Sequence, residues 1–108
     1  STSARKTVPG QAVYSGTKAA VTAISDGLRQ ELVGRVRVTV VHPGVTATEG
    51  VDVLIQSMND PKLREQMTQW RDALAMPPDA VARAIEYAIE QPDDVNVGEL
   101  VVRPSKQA

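Results

Sequence analysis

From Ala12 to Val33 the apolar residues Ala20, Val21, Ile24, Leu28 and Leu32 recur at spacings of three and four, and Gly34 follows where a left-handed cap belongs. That pattern predicts the longest helix of the chain. Gly16 and Gly27 interrupt it at about 1 kcal/mol each relative to alanine, so the helix depends on packing against neighbours. Arg35 to Val41 then sets Val36, Val38 and Val40 against Arg37 and Thr39 and gains Val41, the pattern of a β-branched strand, which His42-Pro43-Gly44 is expected to end. A short helix through Val51 to Met58 is followed by Asp60 and Pro61, an N-cap and a first-turn proline, opening a helix with Leu63, Met67, Trp70 and Leu74 on one face. Pro78 opens another, striped by Val81, Ile85 and Ile89, before Gln91-Pro92 stops it. Leu100 to Val102 is the final strand, and Ser1 to Gln11, rich in polar residues and closed by Pro9-Gly10, is predicted as a loop.

Two strands separated by helices favour parallel pairing in an α/β arrangement. A two-stranded parallel sheet cannot cover its own edges, so the pattern implies part of a larger domain. Composition narrows the function classes. The chain has 108 residues, 42% hydrophobic and 23% charged, with 12 Lys and Arg against 13 Asp and Glu. A net charge of -1 gives no electrostatic footprint for nucleic acid or an anionic membrane surface. Without cysteine and with one histidine, the chain excludes a disulfide framework, thiol catalysis and the usual zinc spacings. No run approaches the roughly 18 apolar residues of a membrane helix. The expectation is a soluble, cytoplasmic chain with an aliphatic core, since Tyr14, Trp70 and Tyr87 are its aromatics.

Candidate chemistry centres on Tyr14 and Lys18, at i and i+4 near the start of the long helix and so on one face. An ammonium beside a phenol favours the phenolate, which suits a general acid or base. A bare Tyr-x-x-x-Lys also describes an ordinary surface pair, and its neighbours decide. Ser1, the run Pro9-Gly10-Gln11-Ala12-Val13-Tyr14-Ser15-Gly16-Thr17-Lys18-Ala19-Ala20, the valine strand and Pro43-Gly44-Val45-Thr46-Ala47-Thr48 together resemble the short-chain dehydrogenases/reductases. Ser1 precedes Tyr14 by 13 positions, the spacing that family uses between its catalytic serine and tyrosine.

The resemblance implies the carboxyl-terminal half of a Rossmann-type doubly wound parallel sheet, spanning residues 1–108 as part of a single dinucleotide-binding domain. It implies NADP, with NAD as the other choice, and hydride transfer to or from an alcohol or carbonyl compound. Tyr14 would be the general acid or base, Lys18 would promote its ionisation and bind the nicotinamide ribose, and Ser1 would hold the substrate oxygen, with Ser3 as the substitute. Pro43, Gly44, Val45, Thr46 and Thr48 would cup the nicotinamide carboxamide, the glycine permitting close backbone approach. Thr46 departs from the Val or Ile common in the family, which alters packing but leaves a main-chain contact open. The carboxyl-terminal run Val95 to Pro104 resembles the branch that includes NADP-dependent 3-hydroxy acid and serine dehydrogenases.

The family's glycine-rich phosphate turn and catalytic asparagine belong upstream of Ser1, so the 108 residues alone are expected to be inactive. The alternative is an incomplete chain acting in binding or assembly, while a sugar epimerase fits the serine spacing poorly. A homodimer or homotetramer packed through the long helix is expected from the family and from the small residues on that helix. The other polar residues carry less. His42 without a nucleophile elbow reads as a strand-end histidine. Arg5, Lys6, Arg35 and Arg37 read as solvated charge. Glu49, Asp52, Glu65 and Glu86 lack metal-ligand spacing. The Leu63 to Leu74 stripe is expected to be core or a lid, and residues 48–76 to be an apolar substrate loop.

Overall fold

The computed structural model describes residues 1–108. A 3-10 turn, Thr2–Ala4, lies inside the segment expected to be a plain loop. Helix α1 (Ala12–Glu31) follows the Pro9-Gly10 turn, where Gly10 takes φ +86°, a conformation glycine adopts without steric cost. It ends as the pattern predicts, with Gly34 at φ +76° just beyond. Strand β1 (Val40–Pro43), helices α2 (Glu49–Gln56), α3 (Pro61–Leu74) and α4 (Pro78–Ile89) and strand β2 (Glu99–Val102) complete the chain. The two strands pair in parallel, Val40 with Glu99 through Pro43 with Val102, and α2, α3 and α4 form the crossover that parallel pairing requires.

The first strand corrects the sequence expectation at both ends. Val36 to Thr39 have β-branched character but no strand beside them, and the Asn96 side chain bonds the Val38 N–H at 2.8 Å and C=O at 3.1 Å in place of a ladder. His42 and Pro43, expected to terminate the strand, are its last two residues. Proline is tolerated there because Val40 N and Gly44 N donate to the β2 side, so the nitrogen of Pro43 falls on the side away from that strand.

Local capping explains why the helices fall where they do. The Asp60 carboxylate accepts from Lys62 N at 3.0 Å, and Pro61 occupies the first turn of α3. Arg71 of α3 ion-pairs with Asp52 of α2 and tethers the two helices. Beyond α4, Arg37 is exposed, as expected from sequence, and is also partnered. Its guanidinium donates to the carbonyls of Ile89 at 3.2 Å, Gln91 at 2.8 Å, Pro92 at 3.3 Å and Val95 at 3.2 Å. A cation at a helix C-terminus satisfies carbonyls that the helix itself leaves unpaired.

The apolar core is small: Val45, Ile55, Met76 and Ala88 are its buried apolar residues. The chain measures 51 × 26 × 22 Å with a radius of gyration of 15.9 Å; a compact domain of about 100 residues has about 13 Å. Apolar surface is correspondingly open. On α1, Val13 is 84% exposed and Val21, Ile24 and Leu28 also face outward. Leu63 and Trp70 of the stripe expected in a core or lid are exposed as well. A cleft of about 520 Å³, lined in part by Ala19, Ala23, Val38 and Val40, separates α1 from the sheet. No helix is long and apolar enough to cross a membrane.

Candidate active site

The site residues come from three places: the 3-10 turn, the first two turns of α1 and the loop leaving β1. Ser1 caps the turn, its Oγ accepting from Ser3 N at 3.1 Å. The Ser1 carbonyl accepts from Ala4 N at 3.1 Å. Ser3 donates instead to Gln11 Oε1 at 3.4 Å, so the two serines have separate partners and the turn is tied to the start of α1. A second tie, Ser15 Oγ to Thr7 Oγ1 at 2.9 Å, holds the first turn of α1 against the preceding loop, with Ser15 buried.

Tyr14 and Lys18 meet as their spacing predicts. The Lys18 Nζ lies 5.4 Å from the Tyr14 ring centroid, within cation–π range, and the tyrosine is 47% exposed. An exposed phenol can exchange a proton with a bound substrate. Ser1 and Tyr14 share no hydrogen bond, each being held on its own element.

The loop from Pro43 to Thr48 is fixed mainly through its backbone. Gly44 N donates to Val102 O at 2.7 Å. Met76 N donates to Val45 O at 3.0 Å and Ala47 N to Met76 O at 2.9 Å, forming a parallel bridge between Thr46 and Met76. In that pattern the residues on either side of Thr46 make the bonds, so the N–H and C=O of Thr46 itself face the other way, without a protein partner. One donor beside one acceptor matches a primary carboxamide. The Thr46 hydroxyl turns inward to Gly44 O at 3.0 Å, which is how threonine replaces an aliphatic residue in this nearly buried position. Thr48 precedes α2 in extended conformation, exposed, its side chain making no capping bond.

Packing also requires a glycine at position 44. A Cβ there would lie 2.8 Å from Arg103 Cβ, and Gln107 crowds the same space while its Oε1 accepts from Val45 N at 2.9 Å. The tail after β2 thus sits against this glycine.

Sequence reasoning passed over His42. It is 1% exposed, the most buried side chain in the chain. Its Nδ1 lies 3.1 Å from Ser1 O, and its Nε2 lies 2.7 Å from Glu99 Oε1 but off the line of a well-directed hydrogen bond. Arg5, read from sequence as solvated, pairs with the same carboxylate at 2.6 Å. That hydrogen bond holds Glu99 below the usual carboxylate range, partly opposed by desolvation. A signal existed: His42 continues the alternation of Val36, Val38 and Val40 and so shares their face.

Comparison with known proteins defines the family. Residues 1–59 match the family model described as short chain dehydrogenase. An uncharacterised oxidoreductase of Staphylococcus saprophyticus is 43% identical over 104 residues, covering 93% of this chain and 40% of that protein. Dehydrogenase/reductase SDR family member 11 of Mus musculus is 35% identical over 106 residues, covering 93% of this chain and 39% of that protein. Among solved structures, the closed form of a serine dehydrogenase complexed with NADP+ superposes with a TM-score of 0.84 at 33% identity, over 100% of this chain and 43% of that one. Serine dehydrogenase from Escherichia coli gives 0.72 at 27% identity, over 100% and 38%. The chain belongs to the short-chain dehydrogenase family, and its parallel α/β architecture is that of Rossmann-type members. It spans about two fifths of the length of the relatives it matches.

Proposed function

We propose that residues 1–108 are the carboxyl-terminal part of a dinucleotide-binding domain. In the complete protein that domain interconverts an alcohol and a carbonyl compound using NADP(H), or NAD(H). The observation that carries this reading is the Lys18 ammonium 5.4 Å from the Tyr14 ring in a chain of this family. The unpaired donor and acceptor of Thr46 support it, because they fit the carboxamide of a nicotinamide. The NADP+ complex of the serine dehydrogenase favours the phosphorylated cofactor.

When bound, the nicotinamide supplies or accepts the hydride. The chain's own residues handle the proton and the oxygen. In reduction Tyr14 donates its hydroxyl proton to the carbonyl oxygen as negative charge develops there, and in oxidation the phenolate removes the alcohol proton. Lys18 would support the charge on the phenol during proton transfer and would hold the cofactor ribose. The Ser1 hydroxyl, whose oxygen already accepts from Ser3 N, keeps its own proton to donate to the substrate oxygen. Pro43, Gly44 and Val45 would hold the loop so that the Thr46 backbone and the Thr48 hydroxyl could receive the carboxamide. We also propose assembly into a homodimer or homotetramer through α1, whose Val13, Val21 and Ile24 are exposed.

The test is Lys18→Met in the full-length protein. Cofactor affinity and turnover should both fall, turnover by ~100-fold, as for loss of support to a general acid. Unchanged values for both would remove Lys18 from the site.

A further inference from the structure

His42 has no part in the chemistry above, yet it is the most buried side chain of the molecule and polar at both ends. A buried ring nitrogen is costly unless it is partnered, so the groups it faces show what the residue does. Nδ1 faces the Ser1 carbonyl at 3.1 Å, and a carbonyl only accepts, so Nδ1 carries the proton and donates. Nε2 lies 2.7 Å from Glu99 Oε1 without a well-directed hydrogen bond to it, and Arg5 pairs with that same oxygen at 2.6 Å. Arg5 follows directly on the 3-10 turn that Ser1 caps. The chain of contacts therefore closes on itself, from Ser1 through His42 on β1 and Glu99 on β2 to Arg5.

Ser1 also bonds within its own turn. Its carbonyl accepts from Ala4 N and its hydroxyl from Ser3 N. The His42 contact joins the Ser1 backbone to β1. We infer that His42 is a positioning residue, fixing the Ser1 backbone through Nδ1 so that the serine hydroxyl is presented to the substrate oxygen. This rests on the role proposed for Ser1.

Two amide substitutions separate the ends of the ring in the full-length enzyme. His42→Asn puts an N–H donor near the Nδ1 position and leaves Glu99 unmatched, whereas His42→Gln reaches the Nε2 position and leaves the Ser1 carbonyl unmatched. Each is made alone and together with Ser1→Ala, with kcat and cofactor affinity measured throughout. Ser1→Ala should lower kcat. His42→Asn should retain at least about half of the parent kcat, and His42→Gln should lose ~10-fold with cofactor affinity unchanged, the cost of one hydrogen bond. In the Ser1→Ala background His42→Gln should cost nothing further, because residues acting through one group are not additive. A general structural role would lower kcat in both backgrounds, or would make Asn as harmful as Gln, and either result overturns the inference while leaving Ser1 in place. An unchanged kcat in Ser1→Ala alone would overturn both the role of Ser1 and that of His42.

Discussion

Replacing Arg37 by alanine should destabilise the protein without touching the reaction. The guanidinium bonds four carbonyls at the end of α4 and in the segment after it, yet three of them share Nη1 and only the Gln91 bond, at 2.8 Å, is short. The count of effective bonds is therefore about two. Hydrogen bonds to a charged group contribute roughly 1.5–3 kcal/mol each, and the exposure of Arg37 reduces that by about half. The expected loss is about 2 kcal/mol, with no replacement partner for the carbonyls except water. Urea unfolding of the full-length protein reads it directly. At a slope of about 2 kcal/mol per molar urea, the midpoint should fall by ~1 M with the slope unchanged. Arg37→Lys, which keeps the charge near the helix end but not the planar fork, should recover about half. A midpoint within about 0.2 M of the parent for Arg37→Ala would refute the claim that this side chain clamps the end of α4 to the segment before β1.

Two further outcomes follow from groups around the site. The Glu99 carboxyl is held low by Arg5, so the folded form keeps its charge at a pH where the unfolded chain takes up a proton. That contribution is present above about pH 4.3 and is lost as pH falls through the lower folded value. Glu99→Gln should therefore flatten the acid limb of a stability–pH curve, and an unaltered limb would contradict the pairing. Gly44→Ala would bring a methyl group against Arg103 and Gln107, so it should shift the loop and weaken cofactor binding ~10-fold, as a small misplacement does. Isothermal titration with NADP+ checks it, and parent-like affinity would show that the tail yields instead.

Features fixed by local chemistry were legible in the sequence. Asp60 and Pro61 marked the start of α3 because capping involves residues two positions apart, and Tyr14 with Lys18 met because i and i+4 share a helix face. The strand was harder. Its valines declared an extended segment, but where the ladder begins depends on β2, more than fifty residues away, and Val36 to Thr39 found Asn96 instead. The partners of Arg37, Arg5 and His42 were hidden for one reason: a charged or polar side chain looks the same in sequence whether or not it also reaches a distant carbonyl or carboxylate. The free backbone of Thr46 was equally invisible, since it depends on Met76 bridging from the α3–α4 connection.

The central claim is that Tyr14 moves the proton. In the full-length protein, single-turnover hydride transfer in Tyr14→Phe should slow by 100-fold or more while NADP+ affinity stays within about threefold, because the phenol acts in the transition state and contributes little to ground-state binding. Transfer at the parent rate with the hydroxyl removed would contradict the account.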